Sequence, residues 1–401
     1  MAKSTLFGLY ALNAAIASIG IKTSRKTDKH RAWAEINLDN LDHNLSELRR
    51  VLPSATSIMA VVKADAYGHG AVRVAKRLYA GGVRFFAVAE IEEAAALRKK
   101  GVKGDILILG YTPSDRLEDL IRFNLTQTVT NAEDAERLQA FGKKLKVHIK
   151  IDTGMNRLGE PWSHEERILS MYRHSHLIVL GTYSHLAVAD SLEPDDVSFT
   201  RTQTKRFNDL VERIRDAGLP TGRLHLQSSY GILNHSGLTA DLARPGIALY
   251  GLLSNDRDRV LADVELRPVL SLKASVTRVA MVRAGESVGY GRSFVASRDT
   301  KIASVSIGYA DGVPRVLSEN GGCVLIRGRR AKIIGKISMD QITVDITSLT
   351  DVEPGDTVTL IGQDGDNSIS AGEIGRLAGT ITNDVLCSIG SRVSRETISL
   401  H

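Results

Sequence analysis

The sequence predicts an α/β protein: an N-terminal (β/α)8 TIM barrel over residues 32–264, followed by a mostly antiparallel C-terminal β domain over residues 265–401. Three observations carry that expectation. Eight short apolar, β-branched runs follow one another between residues 57 and 251, and amphipathic helical text fills most of the gaps, which is the alternation that builds a parallel sheet. From about residue 265 the text changes to strand-like runs separated by Gly-rich or Asp-rich turns. The polar residues that end the apolar runs fall on one rim if the eight strands close. A doubly wound open sheet is the competing arrangement.

Taken in order, residues 1–31 read as an extension. Lys3 precedes "LFGLYALNAAIASIGI", a run of signal-peptide length, and Ala15-Ile16-Ala17 resembles a small-x-small cleavage site. The positive region holds a single lysine, and Asn13 and the glycines dilute the run, so an ordinary or disordered extension is the preferred reading. The run is shorter than the ~20 residues a bilayer requires, so no membrane span is expected. After the charged spacer "SRKTDKHR", Leu38, Leu41, Leu45, Leu48 and Leu52 share one helical face. The barrel strands then begin near residues 57, 85, 106, 126, 146, 177, 223 and 244, with "IEEAAALRKKG" and "TRTQTKRFNDLVERIRDAG" among the helices between them. In the second domain "VLSLKASVTRVAMV", "KIASVSIGYA", "CVLIRGRRAKIIGKI", "QITVDIT" and "DTVTLIGQ" read as strands, with one late helix near "SAGEIGRLAG".

Composition narrows the function classes. At 401 residues, 43% hydrophobic and 24% charged, the chain is globular and has room for two domains. The net charge of +6 suits an anionic ligand, but lysine and arginine are interspersed with acids, and no basic face with aromatic stacking residues points to nucleic acid. Cys323 and Cys387 match no C-x-x-C or metal-ligand spacing, so neither a disulfide nor a metal site is expected. A reduced cytoplasm is the expected compartment, with export through the N-terminal segment as the alternative.

The carboxyl ends of the strands carry the candidate chemistry. Lys63 ends the first strand; Lys150 and Asp152 close the fifth, followed by Thr153, Gly154 and Arg157; His185 ends the sixth, Ser228 and Ser229 the seventh, and Arg244 opens an "RPG" turn before Gly246 and Ile247. Singly, each has a plain structural reading: a solvated lysine, a hydrogen-bonded histidine, turn-capping serines, an exposed ion pair. Their coincidence on one rim changes the balance. A desolvated lysine amine can lose its proton and condense with an aldehyde, while Gly246, Ile247 and Ser229 offer donors to a phosphate. Together they suggest pyridoxal 5'-phosphate.

The motifs "AVVKADAYGHG" (60–70), "KIDTGMNRLG" (150–159), "YSHLAVAD" (183–190), "RPGIALYG" (244–251), "GYGRSF" (289–294), "IGYADG" (307–312) and "ISMDQ" (337–341) resemble the bacterial alanine racemases, over roughly residues 32–398 and in the same order. That resemblance implies a pyridoxal phosphate enzyme of fold type III, a homodimer that makes D-alanine for peptidoglycan. It implies that Lys63 holds the cofactor as a Schiff base, that Tyr67, Ser229 and the backbone of Gly246 and Ile247 bind its phosphate, and that His185 lies against the ring. Arg244 would face the pyridine nitrogen. An arginine does not readily share a proton, so the ring would be a weaker electron sink.

Racemisation removes a proton from one face of Cα and returns it to the other, which two opposed groups do better than one. The resemblance assigns these roles to Lys63 and to a tyrosine matching Tyr290, supplied by the second subunit. Arg157 would orient the substrate carboxylate, the backbone at Met339 would assist, and Tyr309 would line the entrance. Lys150 matches a lysine that many members carry as a carbamate, whose negative charge would hold Arg157.

One position departs from the pattern. Where the family has tyrosine in a stretch like "TINYE", this chain reads "TITNDVLC" and places Asn383 there. A short amide opens volume and adds a donor and an acceptor. The serine racemases of vancomycin resistance are similar to this chain in carrying asparagine there, so serine is expected as an alternative substrate to alanine. Two other readings compete: a decarboxylase on the same architecture, against which Tyr290 and Arg244 argue, and a cofactor carrier without turnover, which has no need of residues beyond 265.

Overall fold

The computed structural model describes residues 30–398. The signal-like run, and all of the 1–31 extension but its last two positions, lie outside the described residues. Eight strands, Ser57–Val61, Phe85–Val88, Asp105–Ile108, Thr126–Val129, Leu145–Asp152, Leu177–Tyr183, Arg223–Ser228 and Leu242–Arg244, pair in parallel. Thr126–Val129 pairs with Leu145–Asp152, which closes the ring and rules out the open sheet. The eighth strand was expected to begin near residue 244, but it ends there. Pro245 has no N–H to give to a ladder, and Ile247–Tyr250 coil into a 3-10 turn.

The helix Leu38–Val51 is capped by Asn37, whose side chain accepts from the Asp39 and Asn40 amides, and it buries Leu41, Leu45 and Leu48. The strand just before it, Ala32–Asn37, is not part of the barrel. It pairs antiparallel with Leu270–Val282 and parallel with Ser394–Ile398, so the first strand of the described chain belongs to the second sheet.

In that second sheet six strands close antiparallel, in the order Leu270–Val282, Thr300–Val305, Ile342–Asp345, Arg329–Ile334, Cys323–Ile326 and Thr357–Asp364. The late helix is Ala371–Ala378, capped by Ser370 and stopped by Gly379 at φ 72°. A further short helix, Thr382–Cys387, carries Asn383. Among the described residues no helix is long and apolar enough to cross a membrane.

Candidate active site

The first barrel strand delivers Lys63 into an unusual turn. Ala64, Asp65, Ala66 and Tyr67 all have positive φ, between 50° and 56°, so four non-glycine residues wind left-handed in succession. Each costs about 1–2 kcal/mol relative to the right-handed form, and the surrounding bonds offset that strain. The Ala66 amide donates to the Val62 carbonyl at 2.9 Å, Ala71 N–H to Asp65 Oδ1 at 2.7 Å, and Ala64 N–H to Glu93 Oε1 at 2.6 Å. Arg395 donates to the Gly68 carbonyl at 3.0 Å and to three carbonyls near the C-terminus, tying the turn to the second domain.

Lys63 and Tyr67 open on one cavity of about 450 Å3. Tyr67 packs 5.0 Å from the Tyr250 ring, and a Cβ at Gly246 would stand 2.5 Å from the Tyr67 hydroxyl, so only glycine permits this approach. Ser229 Oγ accepts from the Gly246 amide at 3.0 Å and the Ala248 amide at 3.2 Å, which leaves its own O–H free to donate. The Gly246 amide is therefore committed to the serine oxygen.

Arg244 is 4% exposed and anchors the floor. It donates to the Ser184 and Leu226 carbonyls at 2.8 and 3.1 Å, to His225 Nδ1 at 2.7 Å and to His185 Nδ1 at 3.1 Å. A guanidinium can only donate, so these bonds assign the tautomers. His225 carries its proton on Nε2, gives it to His148 Nδ1 at 2.7 Å, and His148 is in turn protonated on Nε2. Burial, with the Arg244 charge next, holds both imidazoles neutral, His148 at about 3 and His225 well below the usual histidine range. His185 is held neutral for the same reasons. Gly181 makes room for this pair, because a Cβ there would lie 2.7 Å from the His148 ring. Tyr183 stacks on His225 at 4.5 Å and bonds Thr128 at 3.0 Å.

Among the described residues the charged groups lining the cavity are Lys63, Lys150, Arg157 and Arg244, and no carboxylate lines it. Lys150 is 7% exposed. Burial first, then the charges of Arg244 and Arg157, push its ammonium down to about 8. Four bases without an acid make a site for an anion with more than one charge, such as a phosphate monoester together with a carboxylate.

The structure thus gathers Lys63, Tyr67, Lys150, Arg157, His185, Ser229, Arg244, Gly246, Ile247 and Asn383 around one space. Ser228 lines it as well, whereas Asp152 turns to cap its own loop at the Gly154 and Met155 amides. Tyr290, Tyr309 and Met339 do not line it. They stand on the β domain, 70%, 43% and 52% exposed. Tyr309 and Met339 are held together by the Tyr309 amide donating to the Ser338 carbonyl and the Ala310 amide to the Met339 carbonyl, both at 3.0 Å. Asn383 reaches the cavity from the short late helix, and its Oδ1 is buried with no hydrogen-bond partner.

Sequence reasoning passed over Tyr183, Tyr230, Ser254, His148, His225 and Glu93. For the two histidines a signal existed. In "KVHIKI" His148 shares the strand face of Lys150, and in "RLHLQSS" His225 occupies an alternating position between Leu224 and Leu226.

Two family models match: Alanine racemase, N-terminal domain, over residues 36–254, and Alanine racemase, C-terminal domain, over residues 269–397. The chain is 43% identical to an alanine racemase of Carboxydothermus hydrogenoformans over 90% of its own length and 98% of that protein. It is 41% identical to an amino-acid racemase of Enterococcus faecalis and 40% to a serine/alanine racemase of Enterococcus gallinarum, covering 96% and 92% of its own length. The chain spans about half the length of those enterococcal relatives, 54% and 52%. Among solved structures it resembles the alanine racemase of Clostridium difficile 630 with TM-score 0.86 at 36% identity, covering 93% of this chain and 97% of that one. It also resembles the Bartonella henselae alanine racemase with covalently bound pyridoxal phosphate, at TM-score 0.81 and 32% identity over 92% and 100% of the two chains.

Proposed function

The chain belongs to the alanine racemase family, and from that premise we propose that it is a pyridoxal phosphate-dependent racemase interconverting L- and D-alanine, so supplying D-alanine to peptidoglycan. The observation that carries the proposal is the acid-free cavity with Lys63 at the end of its strand and Arg244 buried in its floor. The residues fit the cofactor: Gly246 lets the Tyr67 hydroxyl approach the cavity, Ser229 keeps a free donor, and the cationic lining matches a phosphate. When bound, pyridoxal phosphate draws electrons from Cα so that its proton can leave.

The protein supplies the rest. Tyr67, Ser229 and the Ile247 backbone would hold the phosphate, with Gly246 fixing Ser229; Arg244 would offer a cation to the ring nitrogen, and neutral His185 would support the ring. Arg157 orients the substrate carboxylate. Lys63 moves the proton on one face of Cα, and Tyr290 of the partner subunit moves it on the other. The exposure of Tyr290, Tyr309 and Met339 supports a homodimer whose two chains share each site. A cytoplasmic location goes with this reading, on the two free cysteines.

Proton NMR in deuterated solvent tests the reaction. Purified protein with pyridoxal phosphate and L-alanine is expected to exchange the Cα proton and to accumulate the D-enantiomer. Cofactor bound without exchange would make the chain a carrier.

Asn383 supports serine as a second substrate. An unpartnered buried amide oxygen in the cavity wall can accept a bond from a substrate hydroxyl. N383Y should lower serine turnover relative to alanine by about 10–100-fold, the scale of a small pocket change. An unchanged ratio in competition assays would show that Asn383 is neutral.

Lys150 is the proposed site of a carbamate. The neutral amine attacks carbon dioxide, forms an N–C bond and releases a proton, and the resulting anion faces Arg157. Because the folded ammonium releases its proton near pH 8, modification should rise between about pH 7 and 9. For Lys150 taken alone, stability also rises over the window from about 8 to the ordinary 10.5, where only the unfolded chain still holds the proton. A carbamate resonance from carbon-13 dioxide that grows with pH and vanishes in K150A is the expected result; no such resonance in the unaltered chain would sink the assignment.

A further inference from the structure

We propose that Glu93 is a positioning residue for the cofactor lysine, its carboxylate fixing the backbone from which Lys63 projects. The inference rests on Lys63 holding pyridoxal phosphate. Glu93 is the third residue of the helix Ile91–Lys99, which follows the strand Phe85–Val88. One oxygen accepts the Ala64 amide at 2.6 Å and the other the Ala89 amide at 2.7 Å. Ala64 follows the end of one barrel strand and Ala89 the end of the next, and those strands pair in parallel. The carboxylate therefore stitches two neighbouring strand ends at the rim. Among the described residues no ion pair engages it, so its two oxygens are given to amides.

The geometry makes Ala64 the critical partner. A peptide unit is planar, and the plane that contains the Ala64 N–H also contains the Lys63 Cα. Fixing that N–H fixes the peptide plane, and with it the Lys63 Cα and the Cα–C bond beside which the lysine stem leaves the chain. Ala64 is also the first of the four left-handed residues, and within the turn the Val62 carbonyl is taken by Ala66. A charged acceptor from outside meets both needs. Glutamine has the same shape, but its NH2 would face one of the two amides as a donor against a donor.

The test compares the unaltered chain with E93Q, A64G and E93Q/A64G. E93Q is expected to weaken pyridoxal phosphate binding by about tenfold, the worth of one charged hydrogen bond, and to shift the visible band of the lysine-bound cofactor. Its kcat should fall while KM for L-alanine stays within about twofold, since Arg157 is untouched. Glycine in place of Ala64 accepts left-handed backbone without strain, so E93Q/A64G should recover at least about threefold of the lost affinity. Cofactor affinity, band and kcat in E93Q within about twofold of the unaltered chain would overturn the inference, whatever the melting temperature does. Should E93Q not accumulate, the double variant is compared with A64G alone, and equal cofactor affinity in those two overturns it equally. If the unaltered chain forms no borohydride-reducible link at Lys63, it is the underlying reading that fails.

Discussion

Mixing two inactive variants, K63A and Y290F, is expected to restore racemase activity that neither has alone. On the proposed mechanism, loss of Lys63 would remove both the cofactor's covalent anchor and one base, and loss of the Tyr290 hydroxyl the other base, each costing at least about 10²–10⁴-fold. Lys63 lines the barrel cavity, whereas Tyr290 stands 70% exposed on the β domain and does not line it. If each site combines Lys63 of one chain with Tyr290 of the partner subunit, a mixed dimer holds one doubly defective site and one intact site. Random reassociation makes about half the dimers mixed, so activity should climb to roughly a quarter of the unaltered rate. If a chain used its own tyrosine, no intact site would form and the mixture would stay inactive. The rate as a function of mixing ratio, after unfolding and refolding together, decides between them.

The parts of this architecture that the sequence exposed are those that depend on local pattern. Barrel strands are buried on both faces and read as short apolar runs, so "SIMAV", "FFAV" and "DILI" mark themselves. Ala32–Asn37 could not be assigned that way, because its partners lie more than two hundred residues away at Leu270–Val282 and Ser394–Ile398, and pairing over such distances leaves no local trace. The eighth strand was displaced because "RPGIALYG" looks apolar while its proline forbids the ladder. Within the site, Lys63, Arg244 and Ser229 were legible as polar residues closing apolar runs. Glu93 was not, since "IEEAAALRKKG" reads as an exposed helix and nothing local shows that one of its acids bridges two strand ends. Tyr290, Tyr309 and Met339 emerged only through long motifs, for on their own chain they are exposed side chains.

Replacing Arg244 with glutamate is expected to be the most damaging single change in the floor of the site. All four partners of the guanidinium are acceptors: two carbonyl oxygens and the Nδ1 atoms of His185 and His225. A carboxylate there would face lone pairs on every side at a position only 4% exposed, a cost of about 3–5 kcal/mol for an uncompensated buried charge. R244Q separates this structural cost from chemistry, because its NH2 can still give two bonds, and it should fold with a smaller drop in melting temperature. Even so, its racemisation rate should fall about 10²–10³-fold, the scale for removing a preorganised charged donor, while L-alanine KM, which the proposed mechanism assigns to Arg157, should change little. The two variants also separate the racemase from the decarboxylase reading, which wants an acid opposite the ring nitrogen. A folded R244E that racemised faster than the unaltered chain would mean that the cation at this position is not what the reaction requires, and the tautomer chain through His225 and His148 would then be a feature of packing alone.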